Sequence, residues 1–242
     1  MDPLATARAL LQRGRRIVAF TGAGLSTGSG IPDFRSPGGI WSRYRPVSFD
    51  EFLGSDDGRR RYWEYKRAMF ASFAGARPNA AHFALAAMER AGRLLAVVTQ
   101  NVDGLHQDAG SSRVVELHGT NRTVSCLECG RSGPAEPVMR RPGVPTCEAC
   151  GGWLKPATIS FGQELRPEVL HEAFDAASRC DAMLVLGTSL VVYPAAGIPE
   201  VAARRGVPII VVNREPTPLD GRATVALHGP VEELLPDLAA EA

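Results

Sequence analysis

The chain is almost without lysine: of its 27 basic residues only Lys66 and Lys155 are not arginine. With Ala, Gly and Pro also abundant, this bias is read first as genomic base composition and second as adaptation to heat. Excess charge is absent too. The 27 basic residues face 26 acidic ones, a formal net charge of +1, so no global field draws the chain to nucleic acid or to a membrane surface. No apolar run approaches the ~20 residues that span a bilayer. A transit peptide is not indicated, because Asp2 and Pro3 read as the N-cap and first position of a helix over 4–13 with Gly14 as its stop. The expected location is therefore cytoplasmic, and the five cysteines are expected to ligate metal rather than form disulfides.

What is present is organised around Thr99 to Gly119, TQNVDGLHQDAGSSRVVELHG. The short β-branched run Leu94–Val98 reads as a buried strand that ends in Gln100, Asn101 and Asp103, and a second run, Val114–Leu117, delivers His118 and Gly119. In open α/β sheets ligands bind outside the carboxyl ends of the strands, so two strands ending in polar clusters outline one site. His118 is its candidate base, since imidazole titrates nearest neutral pH.

At 242 residues the chain is long enough for one large domain or one and a half. Strand Ile17–Phe20 runs into TGAGLSTGSGIPDFR, where Gly22 and Gly24 permit backbone to approach a pyrophosphate. The dehydrogenase fingerprint G-x-G-x-x-G fails here at Thr27, and no strand ends in an acid about 20 residues on, which argues against hydride transfer. The spacings predict a helix capped by Asn79 with Phe83, Leu85 and Met88 on its apolar face. They also predict a strand over 157–161 that returns to the sheet, a helix over 167–178 and a strand over 182–186. A helix over 194–204, a strand over 207–212 and a closing helix from Pro230 interrupted at Pro236 complete the pattern. Cys126 and Cys129, then Cys147 and Cys150, form two Cys-x-x-Cys knuckles, a zinc-ribbon signal; four thiolates leave no open position, so the metal is expected to be structural. Cys180 has no partner at ligand spacing.

GAGLSTGSGIPDFRSPGGIW, TQNVDGLHQDAG, ELHG, the paired Cys-x-x-Cys, FGQ, GTSLVVYPAA and VNREPTPLD stand in the order and spacing of the sirtuins, so the chain resembles these NAD-dependent protein-lysine deacylases over roughly 17–229. The resemblance, together with the strand and helix alternation, implies an α/β architecture. A Rossmann-like, doubly wound parallel sheet (1–45, 79–121 and 157–242) would carry a smaller domain made of a helical module (46–78) and the zinc ribbon (122–156). It implies NAD contacts at Gly22, Ala23, Gly24, Ser26, Ile31, Asp33, Phe34, Arg35, Gln100, Asn101, Asp103, Gly187, Thr188, Ser189, Asn213, Arg214, Glu215 and Pro230. His118 would be the base and Asn101 would orient a water or the ribose. Acyl-lysine proteins or peptides would pair by β-augmentation with Phe161, Gly162 and Gln163 on one side and Val191, Val192 and Tyr193 on the other. The products would be free lysine, nicotinamide and O-acyl-ADP-ribose, with protein mono-ADP-ribosylation at the same NAD site as the alternative. A sirtuin subset that prefers acidic acyl groups carries a Tyr-x-x-Arg pair, which the stretch Tyr62–Ala68 does not reproduce. Glycines at 28, 30, 38 and 39 suggest a mobile loop over 26–41.

Overall fold

The computed structural model describes residues 2–33 and 39–240. Phe34, Arg35 and the middle of the 26–41 loop lie outside the described residues. The first half of the chain forms α1 (Pro3–Arg13), β1 (Ile17–Thr21), α2 (Phe49–Gly54), α3 (Asp56–Phe73), α4 (Ala80–Arg90) and β2 (Leu94–Thr99). It continues through α5 (Leu105–Asp108), β3 (Val114–Glu116), β4 (Gly119–Cys126), β5 (Ser132–Pro134), α6 (Ala135–Met139) and β6 (Leu154–Thr158). The last third contributes α7 (Pro167–Arg179), β7 (Ala182–Leu186), α8 (Gly197–Arg204), β8 (Ile209–Asn213), β9 (Val225–His228) and α9 (Val231–Ala239).

Local chemistry sets the boundaries. Asp2 accepts a hydrogen bond from Leu4 N at 3.1 Å and Pro3 opens α1, while Asn79 accepts from Ala81 N at 3.0 Å and caps α4. Strands β1 and β7 are buried at every position, the signature of a parallel sheet covered on both faces. Among the described residues that sheet runs β3-β2-β1-β7-β8-β9, all parallel. On one face α7 and α8 pack Ala173, Ala177, Ile198 and Ala202 against Phe20, Val98, Val185 and Val211. On the other, Leu11 of α1, Leu85 of α4 and Leu235 and Leu238 of α9 meet Ala19, Val97, Leu184 and Ile210. The strand order reverses between β1 and β7, so the crevice for a ligand opens there.

A third cluster joins the helical segment to the ribbon: Val47, Phe52, Tyr62 and Trp63 pack with Val124, Cys126, Val138, Cys147 and Leu154. Here the expectation for 157–161 is corrected. The strand is β6, it begins at Leu154, and it belongs to a separate antiparallel sheet ordered β5-β4-β6, with Leu154 opposite Cys126 and Lys155 opposite Ser125. The cysteine knuckle fixes that register, so the chain rejoins the large domain only at α7. Other differences are local. Phe83 is 52% exposed, the apolar face of α4 being Ala81, Leu85, Ala86 and Met88 instead. α9 continues through Pro236, because burial of Leu235 and Leu238 holds a helix that lacks one N–H. Residues 191–193, the expected edge for a substrate backbone, are irregular.

Candidate active site

A cleft of about 920 Å³ opens at the carboxyl ends of β1, β2, β7 and β8, and the segment after β6 together with α3 forms its far wall. The strand ends are stitched to one another. Gly22 N donates to Leu186 O at 3.0 Å, Gly24 N to Gly187 O at 2.8 Å and Gln100 N to Thr21 O at 3.0 Å. Gln100 Nε2 donates to Thr188 Oγ1 at 2.9 Å, spanning β1 from β2 to β7. Asn101, 6% exposed, donates from Nδ2 to Gly22 O and to Ser26 Oγ, both at 3.1 Å, and Ser26 Oγ donates to Asp103 Oδ2 at 2.8 Å. The glycine loop is thereby held to the end of β2 through buried polar side chains, each with a partner. Burial raises the Asp103 carboxyl above its ordinary range, against the opposing bonds from Leu105 N and Ser26.

His118 is half-buried, follows β3 and faces this polar set. Its Nδ1 lies 3.0 Å from Gln100 O, and a carbonyl can only accept, so Nδ1 carries the proton and Nε2 presents its lone pair. Burial lowers its pKa, the bond to Gln100 opposing. The neutral imidazole is thus the form held at pH 7.

The cleft collects Gly22, Ala23, Gly24, Asp33, Gln100, Asn101, His118, Gly187, Thr188, Ser189, Asn213, Arg214 and Glu215. Its mouth holds Phe161, Gly162, Gln163, Val192 and Tyr193. Ser26, Ile31 and Asp103 stand behind the lining, Val191 is 54% exposed outside it, and Pro230 sits at the N-terminus of α9, where Val231 reaches the cleft instead. Gln163 turns inward: its Oε1 accepts from Ser160 N at 3.1 Å, closing a local turn that a Glu would close equally. Phe161 and Tyr193, 49% and 66% exposed, leave apolar edges on the two sides of the opening. Sequence reasoning did not single out Trp41, Met69, Leu165 or Leu170, which line the wall. It also passed over the buried His82–His106 pair, with rings 4.9 Å apart and His106 Nε2 3.1 Å from Thr21 Oγ1.

At the far end of the eight-residue β4, away from this chemistry, the four cysteines converge. Cys126 Sγ and Cys150 Sγ are 3.5 Å apart, Cys129 Sγ and Cys147 Sγ 3.8 Å, and all four lie within 4.8 Å of one another without a disulfide. Tetrahedral zinc with bonds of ~2.3 Å sets sulfurs roughly 3.8 Å apart, so the quartet fits zinc. Backbone N–H groups of Ala149 and Cys150 bring the Cys147 thiol down to about 7, favouring the ligating thiolate.

The Sir2 family profile matches residues 22–194, most of the chain. The chain belongs to the Sir2 family. Among relatives of this Sir2 protein, the NAD-dependent protein deacetylase 1 of Bradyrhizobium diazoefficiens is 45% identical over 231 residues, covering 93% of this chain and 91% of that protein. The NAD-dependent protein deacylase 2 of Archaeoglobus fulgidus is 40% identical and covers 99% of this chain and 96% of its own. A solved Sir2 variant bound to a deacetylated p53 peptide and 3′-O-acetyl-ADP-ribose superposes with a TM-score of 0.92 at 36% identity, over 99% of this chain and 98% of that one. The Sir2 fold thus extends through the ribbon and the helical segment alike.

Proposed function

We propose that this Sir2 protein is an NAD-dependent protein-lysine deacylase that converts an acyl-lysine, NAD and water into lysine, nicotinamide and O-acyl-ADP-ribose. The observation that carries the reading is the tautomer of His118, whose free Nε2 faces a cleft lined at the strand ends by the amides of Gln100 and Asn101 and the hydroxyls of Thr188 and Ser189. That donor set suits a dinucleotide, whose ribose and phosphate oxygens need donors and a glycine loop without side chains in the way. When bound, NAD supplies an electrophilic ribose carbon with nicotinamide as its leaving group. His118 takes up a proton at Nε2, and Gln100 O steadies the resulting imidazolium through Nδ1–H. Asn101 and Ser26 hold the Gly22–Ser26 loop in place, and Gly187, Asn213, Arg214 and Glu215 form the adenosine side. Phe161–Gln163 and Val191–Tyr193 receive the substrate backbone as an added strand, which makes the enzyme tolerant of sequence. Zinc held by Cys126, Cys129, Cys147 and Cys150 is structural, because four thiolates close its sphere.

Among the described residues no helix is long and apolar enough to cross a membrane. Use of reduced thiols as ligands fits a cytoplasmic location, and a formal net charge of +1 gives no field that favours nucleic acid over protein partners. The test is mass spectrometry of an acetyl-lysine peptide with the purified protein, with and without NAD. Lysine and nicotinamide released together and only with NAD support the reading. Nicotinamide released while the peptide stays acetylated replaces it with transfer of ADP-ribose to protein.

A further inference from the structure

Lys66 and Lys155, the chain's only lysines, are buried to 7% and 2% exposure, the first on α3 and the second on β6. They flank Tyr62, each Nζ lying 5.5 Å from the centre of its ring, and Lys66 Nζ is 5.5 Å from the Tyr65 ring as well. Lys66 Nζ donates to Thr158 Oγ1 at 2.9 Å, and Lys155 Nζ donates to the carbonyl of Thr158. Among the described residues neither forms an ion pair, whereas the buried Arg59 meets the Asp56 carboxylate. The titratable groups around Lys66 are thus two phenols and a second amine. An ammonium in that setting is poorly solvated, and losing its proton breaks no ion pair. Burial brings Lys66 down to about 8; burial and then the charge of Lys66 bring Lys155 to about 7. At pH 8 about half of Lys66 is free amine, against roughly 0.4% of an ordinary lysine with a pKa of ~10.4. A lysine desolvated in an apolar pocket beside another cationic group is an activated nucleophile.

Access separates the two amines. Lys66 lines the cleft beside Val47, Tyr62, Met69 and Ile159, while Lys155 lies behind that lining. Ile159 N donates to His118 O at 2.9 Å, so this wall runs back from the histidine, and the deacylation derived above gives Lys66 no task on it. The bond to Thr158 Oγ1 uses an N–H, which leaves the lone pair of the free amine unengaged. A reagent that reaches this amine has to pass the mouth between Phe161 and Tyr193, so it has to be small. It also has to carry its own good leaving group, because the wall beside Lys66 is apolar and offers nothing to activate a poor one. An acyl phosphate meets both conditions.

We propose that Lys66 is a modification site for small acyl phosphates, and that acyl-Lys66 fills the part of the cleft that a substrate's acyl-lysine needs. The first half stands apart from the deacylase reading; the second rests on it. The free amine attacks the acyl carbon, an amide C–N bond forms and the C–O bond to phosphate breaks. Phosphate leaves with the electron pair and takes up the amine's proton, so lysine and acetyl phosphate become acetyl-lysine and hydrogen phosphate. Nothing is oxidised or reduced. The product is uncharged, so the modification also removes the cation from the wall.

The experiment treats the full-length, zinc-loaded protein with acetyl phosphate at pH 8. Peptide mass mapping follows acetylation of Lys66, Lys155 and the N-terminal amine separately, and a chain with two lysines makes the assignment direct. We expect Lys66 to be acetylated at least tenfold faster than Lys155. In urea-denatured protein, where both amines are solvated, that ratio should fall to near one. Affinity for an acetyl-lysine peptide, read by fluorescence anisotropy, should drop at least tenfold in the modified protein. Lys66→Arg should take no label on α3, and the treatment should leave its own peptide affinity where it was. Thermal unfolding establishes that this variant folds; should it not, the labelling of the wild-type protein decides alone. No acetylation of Lys66, or labelling of Lys155 at an equal rate in the folded protein, overturns the site. Labelled Lys66 with unchanged peptide affinity overturns the blocking role and leaves the site standing. Untreated protein that binds the peptide but releases no acetyl group with NAD overturns the deacylase reading and leaves the labelling result intact.

Discussion

His118 Nδ1 donates to the carbonyl oxygen of Gln100 across 3.0 Å, and this contact decides which nitrogen of the imidazole is available to a substrate. Removing the ring removes the base while leaving the strand ends bonded through Gln100, Asn101 and Thr188. His118→Ala should lower turnover by roughly 10²–10⁴. Circular dichroism and zinc content should match the unmutated protein; a variant that keeps more than a tenth of the rate would remove His118 from the chemistry.

The same histidine sets an acid limit. Burial lowers its pKa below the ordinary value, the bond to Gln100 opposing, so the neutral base persists to lower pH than a free imidazole would allow. Activity should be flat near neutrality and fall as pH drops, with the inflection below ~6.5. A kcat/KM profile whose acid limb lies above pH 7 would contradict this assignment.

Much of the architecture was legible in the residues because the relevant forces are local. Asp2–Pro3 and Asn79 mark helix starts by their hydrogen-bonding chemistry, and Ala182–Leu186, apolar without alternation, can only be a strand buried on both faces. The placement of β6 was not legible, because its partner is chosen by the cysteine knuckle across the ribbon rather than by its own pattern. At the site, strand-end polar residues announced themselves by abrupt changes from apolar runs. Lys66 did not: on α3 it follows Tyr65 in a stretch that reads as an ordinary charged and aromatic helix, and only folding brings it to Thr158. The rarity of lysine in this chain was the one signal that pointed to it.

Stability should depend on pH through His82 and His106. Burial lowers them to about 4 and about 3, the charge of His82 adding to the effect on His106. In the unfolded chain both titrate near ~6.5. Their folded values are depressed, so the stability they permit is fully present above ~6.5 and is lost as pH falls toward the folded values. Between those limits the unfolded state binds two more protons, giving a slope approaching ~2.7 kcal/mol per pH unit from this pair. Urea unfolding at pH 7, 6 and 5 should show that slope, and His82→Gln/His106→Gln should flatten it relative to the unmutated protein.

Metal removal should disrupt more than the ribbon. Cys126 and Cys147 belong to the core that also buries Tyr62 and Trp63 of α3, so loss of their ligand leaves the helical segment without its packing partner. Zinc binding in small modules is worth on the order of 10 kcal/mol, more than that small core can supply. Chelation should release one zinc per chain and shift tryptophan fluorescence from Trp63 and Trp153; unchanged fluorescence after complete zinc loss would show that the cluster does not hold the small core together.

Gly187 ends β7 with φ 58°, in the left-handed region, and a Cβ there would lie 2.2 Å from Leu25 N and 2.5 Å from the carbonyl carbon of Gly24. Both obstacles are backbone, so the glycine loop itself has to retreat. Gly187→Ala should cost ~1–3 kcal/mol in stability from the strained backbone alone. Because the displaced loop is the one that Asn101 and Ser26 hold over the cleft, NAD affinity should fall at least tenfold, a larger relative loss than in the KM for peptide. Calorimetric titration with NAD checks this. An unchanged NAD affinity would mean that the Gly22–Ser26 loop does not form the dinucleotide's seat, and the cofactor assignment along β1 and β7 would have to move.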